Sequence, residues 1–146
     1  MKTGAVITAA GRHEREGEFK PLKKMGAISV AERIIATFQQ AGVFPIVVIT
    51  GYRAAELEKQ LSRLGAVCLR NEAYETTQML DSAKLGFSFI KEQCSRTFFT
   101  PVDVPLFTRD TVYRMMAAKA PVVKPVCEGR GGHPVLLSCS LLPDIC

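Results

Sequence analysis

No run of about 18 apolar residues occurs in this chain, and its start lacks the apolar core of a signal peptide. The reading is of a protein neither membrane-inserted nor secreted, with the cytoplasm as the default compartment. The five cysteines, Cys68, Cys94, Cys127, Cys139 and Cys146, are odd in number and widely spaced, with no C-x-x-C pair and no Cys/His cluster. That pattern argues against a structural zinc site and against a disulfide framework, leaving reduced thiols that act mostly as small core residues. No repeat, linker or low-complexity segment divides the chain. There is no basic helix and no aromatic stacking motif, so the net charge of +5 does not single out a nucleic acid partner; a small polyphosphate accounts for it equally well.

What is present is an ordinary soluble composition, 47% hydrophobic and 23% charged. A chain of 146 residues is expected to form one domain, residues 1–146, that buries about two thirds of the surface its unfolded form exposes. The most informative stretch runs from Val6 to Lys20. Residues 5–10 are small or β-branched without charge, as in a strand buried on both faces, and the chain turns polar at Gly11. Small residues at Ala9, Ala10 and Gly11 let backbone N–H groups approach phosphate oxygens, Gly17 permits a turn with positive φ, and Arg15 and Lys20 can neutralise charge. The spacing matches neither a Walker A loop nor G-x-G-x-x-G. A solvated strand-to-helix connection carrying mixed charges is the plainer alternative.

Strand and helix then alternate. Ser29 and Glu32 have the spacing of a capping box before a helix with Val30, Ile34, Ile35, Phe38 and Ala41 on its apolar face, and Gly42 stands where a C-terminal cap belongs. Residues 44–50 read as a second strand, 54–64 as a helix, 66–69 as a third strand, and 76–92 as a helix with Leu80, Ala83, Phe87 and Ile90 inward. Residues 97–102 form a further strand ending at Asp103, and Thr108 caps a helix through residue 119. Apolar runs at 121–126 and 134–137 read as a hairpin or looser β connection. Repeated βα units predict a three-layer α/β/α sandwich with a mostly parallel sheet, and place the Gly11 loop, Asn71 and Asp103 at its carboxyl edge.

Asp103 closes an apolar strand ahead of Val104-Pro105. A carboxylate there can hold Mg2+, which takes one or two protein carboxylates and completes its shell with waters and phosphates; the alternative is a turn cap before Pro105. Thr50 and Gly51 end the second strand, where they can line a base pocket, although Gly51 is equally a plain turn glycine. His133, among glycines beside Pro134, reads as a loop histidine or a substrate contact.

The pattern A-A-G-x-x-x-R-x-G-x-x-K followed by Pro21-Leu22 resembles the signature of the MobA-like NTP transferases, the molybdenum cofactor guanylyl- and cytidylyltransferases. Further segments fall in that family's order: Thr50-Gly51-Tyr52-Arg53, Asn71-Glu72-Ala73-Tyr74, Met79-Leu80-Asp81-Ser82 with Gly86, Pro101 to Leu106, and Gly132-His133-Pro134-Val135. The resemblance implies a Rossmann-like nucleotide-diphospho-sugar transferase fold, C-terminally short here, since the family continues with a region supplying another acidic metal ligand. It implies Asp103 as the Mg2+ ligand and Lys20, Arg15 and Asp103 as the catalytic set. Ala9, Ala10, Gly11, Arg15, Gly17, Lys20, Thr50, Gly51, Asn71 and Ser82 would bind the nucleotide, with Ser82 facing the base; Ser82 as a helix cap and Asn71 as a left-handed turn residue are the structural alternatives. Arg12-His13-Glu14 departs from the small polar residues that the family usually has between Gly11 and Arg15.

The activity implied is transfer of a nucleoside monophosphate from an NTP to a phosphate or hydroxyl of a small acceptor such as a molybdopterin-type cofactor, with pyrophosphate released. CTP is favoured over GTP because cytidylyltransferases resemble Ala9-Ala10-Gly11. The alternative is a nucleotide-binding regulatory or accessory module. Neither nucleic acid nor membrane is expected as a partner, and a homodimer stays open.

Overall fold

In the computed structural model, residues 2–12, 14–15, 18–103, 107–127 and 130–145 are described. The uncharged run near the N-terminus forms strand β1, Thr3–Ala9, buried along its whole length. Alternate side chains of a strand face opposite ways. Ala5, Ile7 and Ala9 accordingly enter one core, and Val6 enters the other. Around β1 lie β2 (Ile46–Thr50), β3 (Val67–Arg70), β4 (Arg96–Pro101), β5 (Val122–Val123) and β6 (Val135–Ser138), in the spatial order β3-β2-β1-β4-β6-β5. The first four are mutually parallel. Strand β6 runs antiparallel to both β4 and β5, so the two apolar runs near the C-terminus do meet as a hairpin, through Leu136 and Val123 and through Leu137 and Val122.

Helices α1 (Val30–Gln40), α2 (Ala54–Leu61) and α4 (Arg109–Ala117) pack on the Ala5–Ile7–Ala9 face through Ile34, Phe38, Leu57, Leu61 and Val112. Helix α3 (Met79–Ile90) covers the other face through Ala83, Phe87 and Ile90, joined by Leu142. The result is the expected three-layer α/β/α sandwich. Each fully buried Ile, Leu or Phe of these clusters stabilises the fold by about 1.5–3 kcal/mol relative to exposure. Gly86 sets how close α3 can lie, because a Cβ there would collide with Val6. Among the described residues no helix is long and apolar enough to cross a membrane, and Cys68, Cys94 and Cys139 are free thiols.

Local signals explain the element ends. The Ser29 hydroxyl accepts from the Glu32 amide at 3.2 Å, and the Glu32 carboxylate accepts from the Ser29 amide at 3.1 Å, closing the capping box. Gly42 takes φ of 78° after α1, and Gly65 takes 83° after the short 3-10 turn that follows α2. Helix α3 begins later than the sequence pattern predicts. Leu80, expected to face inward, is 53% exposed, and its neighbours Met79 and Ser82 in the first turn of α3 line a cavity.

Candidate functional site

The carboxyl ends of the parallel strands are joined by main-chain hydrogen bonds. The Val102 amide donates to the Thr8 carbonyl at 3.0 Å, the Tyr52 amide to the Ala10 carbonyl at 2.8 Å, and the Asn71 amide to the Thr50 carbonyl at 2.7 Å. Gly11, Asn71 and Asp103 therefore gather at one sheet edge, as expected. Between β1 and β4 the strand order reverses, and open α/β sheets take ligands at that point.

A cavity of about 210 Å3 opens there, reaching from Ala10 and Gly11 past Ser82 and Gln78 to Thr8 and Asp103. Thr8 is 3% exposed, and its hydroxyl has no hydrogen-bond partner among the described residues. A buried hydroxyl left in that state carries a desolvation penalty that a ligand can remove. Asp103, which is exposed, lines the same cavity. The Lys20 ammonium donates to the Asp103 main-chain carbonyl at 3.0 Å, which brings this cation to the end of β4. Lys20 is held by a 3-10 turn, Lys20–Leu22, whose Pro21 is buried.

Asn71 is a buried strut. Its side-chain amide donates to Thr77 Oγ1 at 2.8 Å and to Ser82 Oγ at 3.0 Å, while its carbonyl accepts from the Ala73 amide at 3.1 Å. These bonds tie the end of β3 to α3 and organise residues 71–78. It is not a left-handed turn residue, since Arg53 is the one non-glycine with positive φ among the described residues. Ser82 lines the cavity while accepting from Asn71, and the amide of Gln78 at the start of α3 is capped by Asp81 at 2.9 Å.

Other expected site residues lie beneath the surface. Ala9 packs into the α1 core, while Ala10 lines the cavity. Thr50 is fully buried and donates to the Glu58 carboxylate at 2.8 Å, which Arg70 grips at 2.8 and 2.9 Å. The Arg70 bond holds the Glu58 carboxyl below its ordinary value. Gly51 lines no described cavity, but a Cβ on it would stand 2.7 Å from both the Ala10 carbonyl oxygen and Tyr74 Cβ. The backbone of Arg15 pairs with Glu18 in a short antiparallel ribbon; its side chain and Gly17 lie outside the described residues.

Sequence reasoning assigned no site role to Thr8, Arg12, Tyr52 or Tyr74. A second cavity of about 460 Å3 is lined by Gly11, Arg12, Tyr52, Tyr74 and Glu75. The Arg12 guanidinium lies 5.1 Å from the Tyr52 ring centre, and the Phe19 and Tyr74 rings meet Tyr52 edge-on at 5.6 and 6.2 Å, favourable aromatic geometries. Partial burial, then the Glu75 carboxylate, push the Tyr74 phenol above its ordinary value. The available signal was an aromatic residue directly after the strand-end glycine. His133 packs edge-on against Phe99 at 5.8 Å; burial and Lys124 hold its imidazole below the ordinary value, while Asp103 pulls the other way.

Among the described residues no three His, Cys, Asp or Glu side chains group as metal ligands. Among the described residues that line the inner cavity, Asp103 is the one carboxylate, with Thr8 and Ser82 among the hydroxyls. That set suits a hard cation of the Mg2+ type, which relies on one or two carboxylates and on substrate oxygens.

Fold and edge together define an α/β sandwich with a cavity at its strand-order reversal. Residues 5–146 match the MobA-like NTP transferase domain, and the chain belongs to that family. A nucleotidyl transferase from Methanothermobacter thermautotroptrophicus superposes with a TM-score of 0.81 at 23% identity, covering 98% of this chain and 74% of that one. Rv0371c from Mycobacterium tuberculosis superposes at 0.83 with 18% identity, covering 99% and 75%, and has also been solved as a complex with manganese, at 0.79 and 15%, covering 99% and 74%. These likenesses show the fold. The bifunctional protein GlmU of Staphylococcus haemolyticus is 28% identical over 118 residues, 80% of this chain; the chain spans 26% of that protein's length.

Proposed function

We propose that this domain transfers a nucleoside monophosphate, CMP by preference, from an NTP to a phosphate or hydroxyl oxygen of a small acceptor. A molybdopterin-type cofactor is the acceptor that the sequence resemblance supports. The observation that carries the reading is the cavity at the strand-order reversal. It sets the small-residue loop Ala10-Gly11 against Asp103 and the unsatisfied Thr8 hydroxyl, with the Lys20 ammonium bonded to the Asp103 main chain.

In this mechanism the acceptor oxygen attacks the α-phosphorus in line; the new O–P bond forms as the bond to the β-phosphate oxygen breaks, and pyrophosphate leaves. No side-chain nucleophile is required. Main-chain N–H groups at Gly11 bind phosphate oxygens, Lys20 and Arg15 balance the charge on the leaving group, and Asp103 with Thr8 would hold Mg2+. The ion, when bound, supplies neutralisation of phosphate charge. The catalytic gain from the protein is positioning and preorganised electrostatics. Asn71 acts through Ser82 and Thr77 by fixing the wall against which the base rests.

The preference for CTP is supported by Ala10, whose methyl narrows the cavity beside the loop. Differences of that size are worth about 1–3 kcal/mol, so preference and not exclusion follows. The test is titration of CTP, GTP and ATP with and without Mg2+ on wild type and Asp103→Ala, together with an assay of pyrophosphate release. Tighter GTP than CTP binding would overturn the base assignment, and unchanged magnesium dependence in Asp103→Ala would overturn the metal assignment. Nucleotide binding with no pyrophosphate release from any acceptor tried would favour an accessory binding module.

A further inference from the structure

The inner cavity at Asp103 and the outer cavity at Arg12 share two residues, Gly11 and Tyr74. Gly11 contributes only backbone, so the side chain common to both is the Tyr74 ring. We propose that Tyr74 is a specificity-determining residue that partitions the two cavities and limits the bound base to a single ring. The inference rests on the nucleotide reading above and names what sets its selectivity.

The inner cavity, at about 210 Å3, has to admit the sugar toward Asp103 as well as the base beside Ala10. A pyrimidine ring meets that constraint. The fused second ring of a purine would extend past Tyr74 into the outer cavity. The partition is held firmly. Gly51 lets the root of Tyr74 seat against the strand end, where an added Cβ would approach Tyr74 Cβ to 2.7 Å and Cγ to 2.9 Å. The Tyr74 amide donates to the Asn71 carbonyl at 3.2 Å, and its ring meets the edge of Tyr52 at 6.2 Å. Tyr52 is itself tied to the Ala10 carbonyl at 2.8 Å, so the wall and the Ala10-Gly11 floor belong to one bonded unit.

Beyond the partition, the outer cavity offers Arg12 over the Tyr52 ring and the Glu75 side chain. An arginine pairs with the O6 and N7 acceptors of guanine, whereas adenine replaces O6 with an amino donor. Removing the partition should therefore help GTP more than ATP.

The experiment is displacement of a fluorescent CTP analogue by CTP, GTP and ATP from wild type, Tyr74→Phe, Tyr74→Leu and Tyr74→Ala, each checked for folding by circular dichroism. Tyr74→Phe should keep the wild-type ratio of CTP to GTP affinity. Tyr74→Ala should shift that ratio toward GTP by about tenfold or more, the scale on which pocket size discriminates substrates, with Tyr74→Leu between them. If Tyr74→Ala does not fold, Tyr74→Leu carries the decision on the same ratio. Binding with the ratio unchanged across the series would overturn the partition and leave the nucleotide reading intact. Failure of every nucleotide to displace the probe from wild type would overturn both.

Discussion

The Lys20 ammonium and the Asp103 main-chain carbonyl, separated by 83 residues in sequence, are joined by a 3.0 Å hydrogen bond. It places a cation from the segment after β1 at the end of β4, across the point where strand order reverses. The bond is exposed, so its worth to the apo fold is small, and its consequence lies with the ligand. Lys20→Ala should weaken NTP binding about ten- to over a hundredfold, corresponding to about 1.5–3 kcal/mol for a charge-assisted contact, with little change in Tm. Titration calorimetry reads the first and a thermal melt the second; unchanged affinity would remove Lys20 from the binding set.

Thr8 offers the opposite test. Its hydroxyl is buried without a partner among the described residues, and Thr8→Val keeps the β-branched shape. Removing an unsatisfied buried polar atom should leave the ligand-free protein as stable or more stable. Nucleotide and Mg2+ should bind more weakly. A loss of stability to urea in the ligand-free variant would mean that the hydroxyl is satisfied in solution.

Gly86→Ala probes the seat of α3. The added methyl would meet Val6 in a packed core, and overpacking of this kind typically destabilises by about 1–3 kcal/mol. Urea denaturation should show a lower midpoint at similar slope. A wild-type midpoint would imply that α3 can shift outward at no energetic penalty.

Acid should loosen the link between β2, β3 and α2. The Glu58 carboxylate accepts from Thr50 and Arg70, and the Arg70 bond, ahead of the other influences, lowers its pKa below 4.5. A group with a depressed folded pKa contributes stability that is present above the unfolded value and lost as pH falls through the folded one. The contribution of Glu58 is therefore whole at pH 7 and fades below about pH 4.5. Glu58→Gln should be less stable than wild type at neutral pH, and the gap should close in acid; denaturation midpoints from pH 7 to pH 3 check this.

The strands, the layers and the shared edge of Gly11, Asn71 and Asp103 were legible because each rests on a local pattern. Uncharged β-branched runs, the Ser29 and Glu32 capping pair and the glycines after α1 and α2 all act within a few residues. What escaped depends on packing between segments. Thr8 reads as one more small strand residue until α3 and β4 close around it. Tyr52 and Tyr74 become neighbours only when the ends of β2 and β3 are brought together. Thr50, expected at the base pocket, instead meets Glu58 of α2, because strand alternation sends its side chain to the opposite face from Val47 and Ile49. Leu80 failed for a related reason: helical periodicity specifies which way a residue faces and not whether another element covers it.

The three main-chain bonds that join Thr8 to Val102, Ala10 to Tyr52 and Thr50 to Asn71 involve no side chain. The platform under the cavity is thus tied together through its backbone, and Gly51 is a position where a side chain would strike it. Its amides at Tyr52, Asn71 and Val102 should be among the slowest in the molecule to exchange with deuterium. Point substitutions of the side chains that line the cavity should therefore leave these three backbone bonds, and the exchange protection they give, in place.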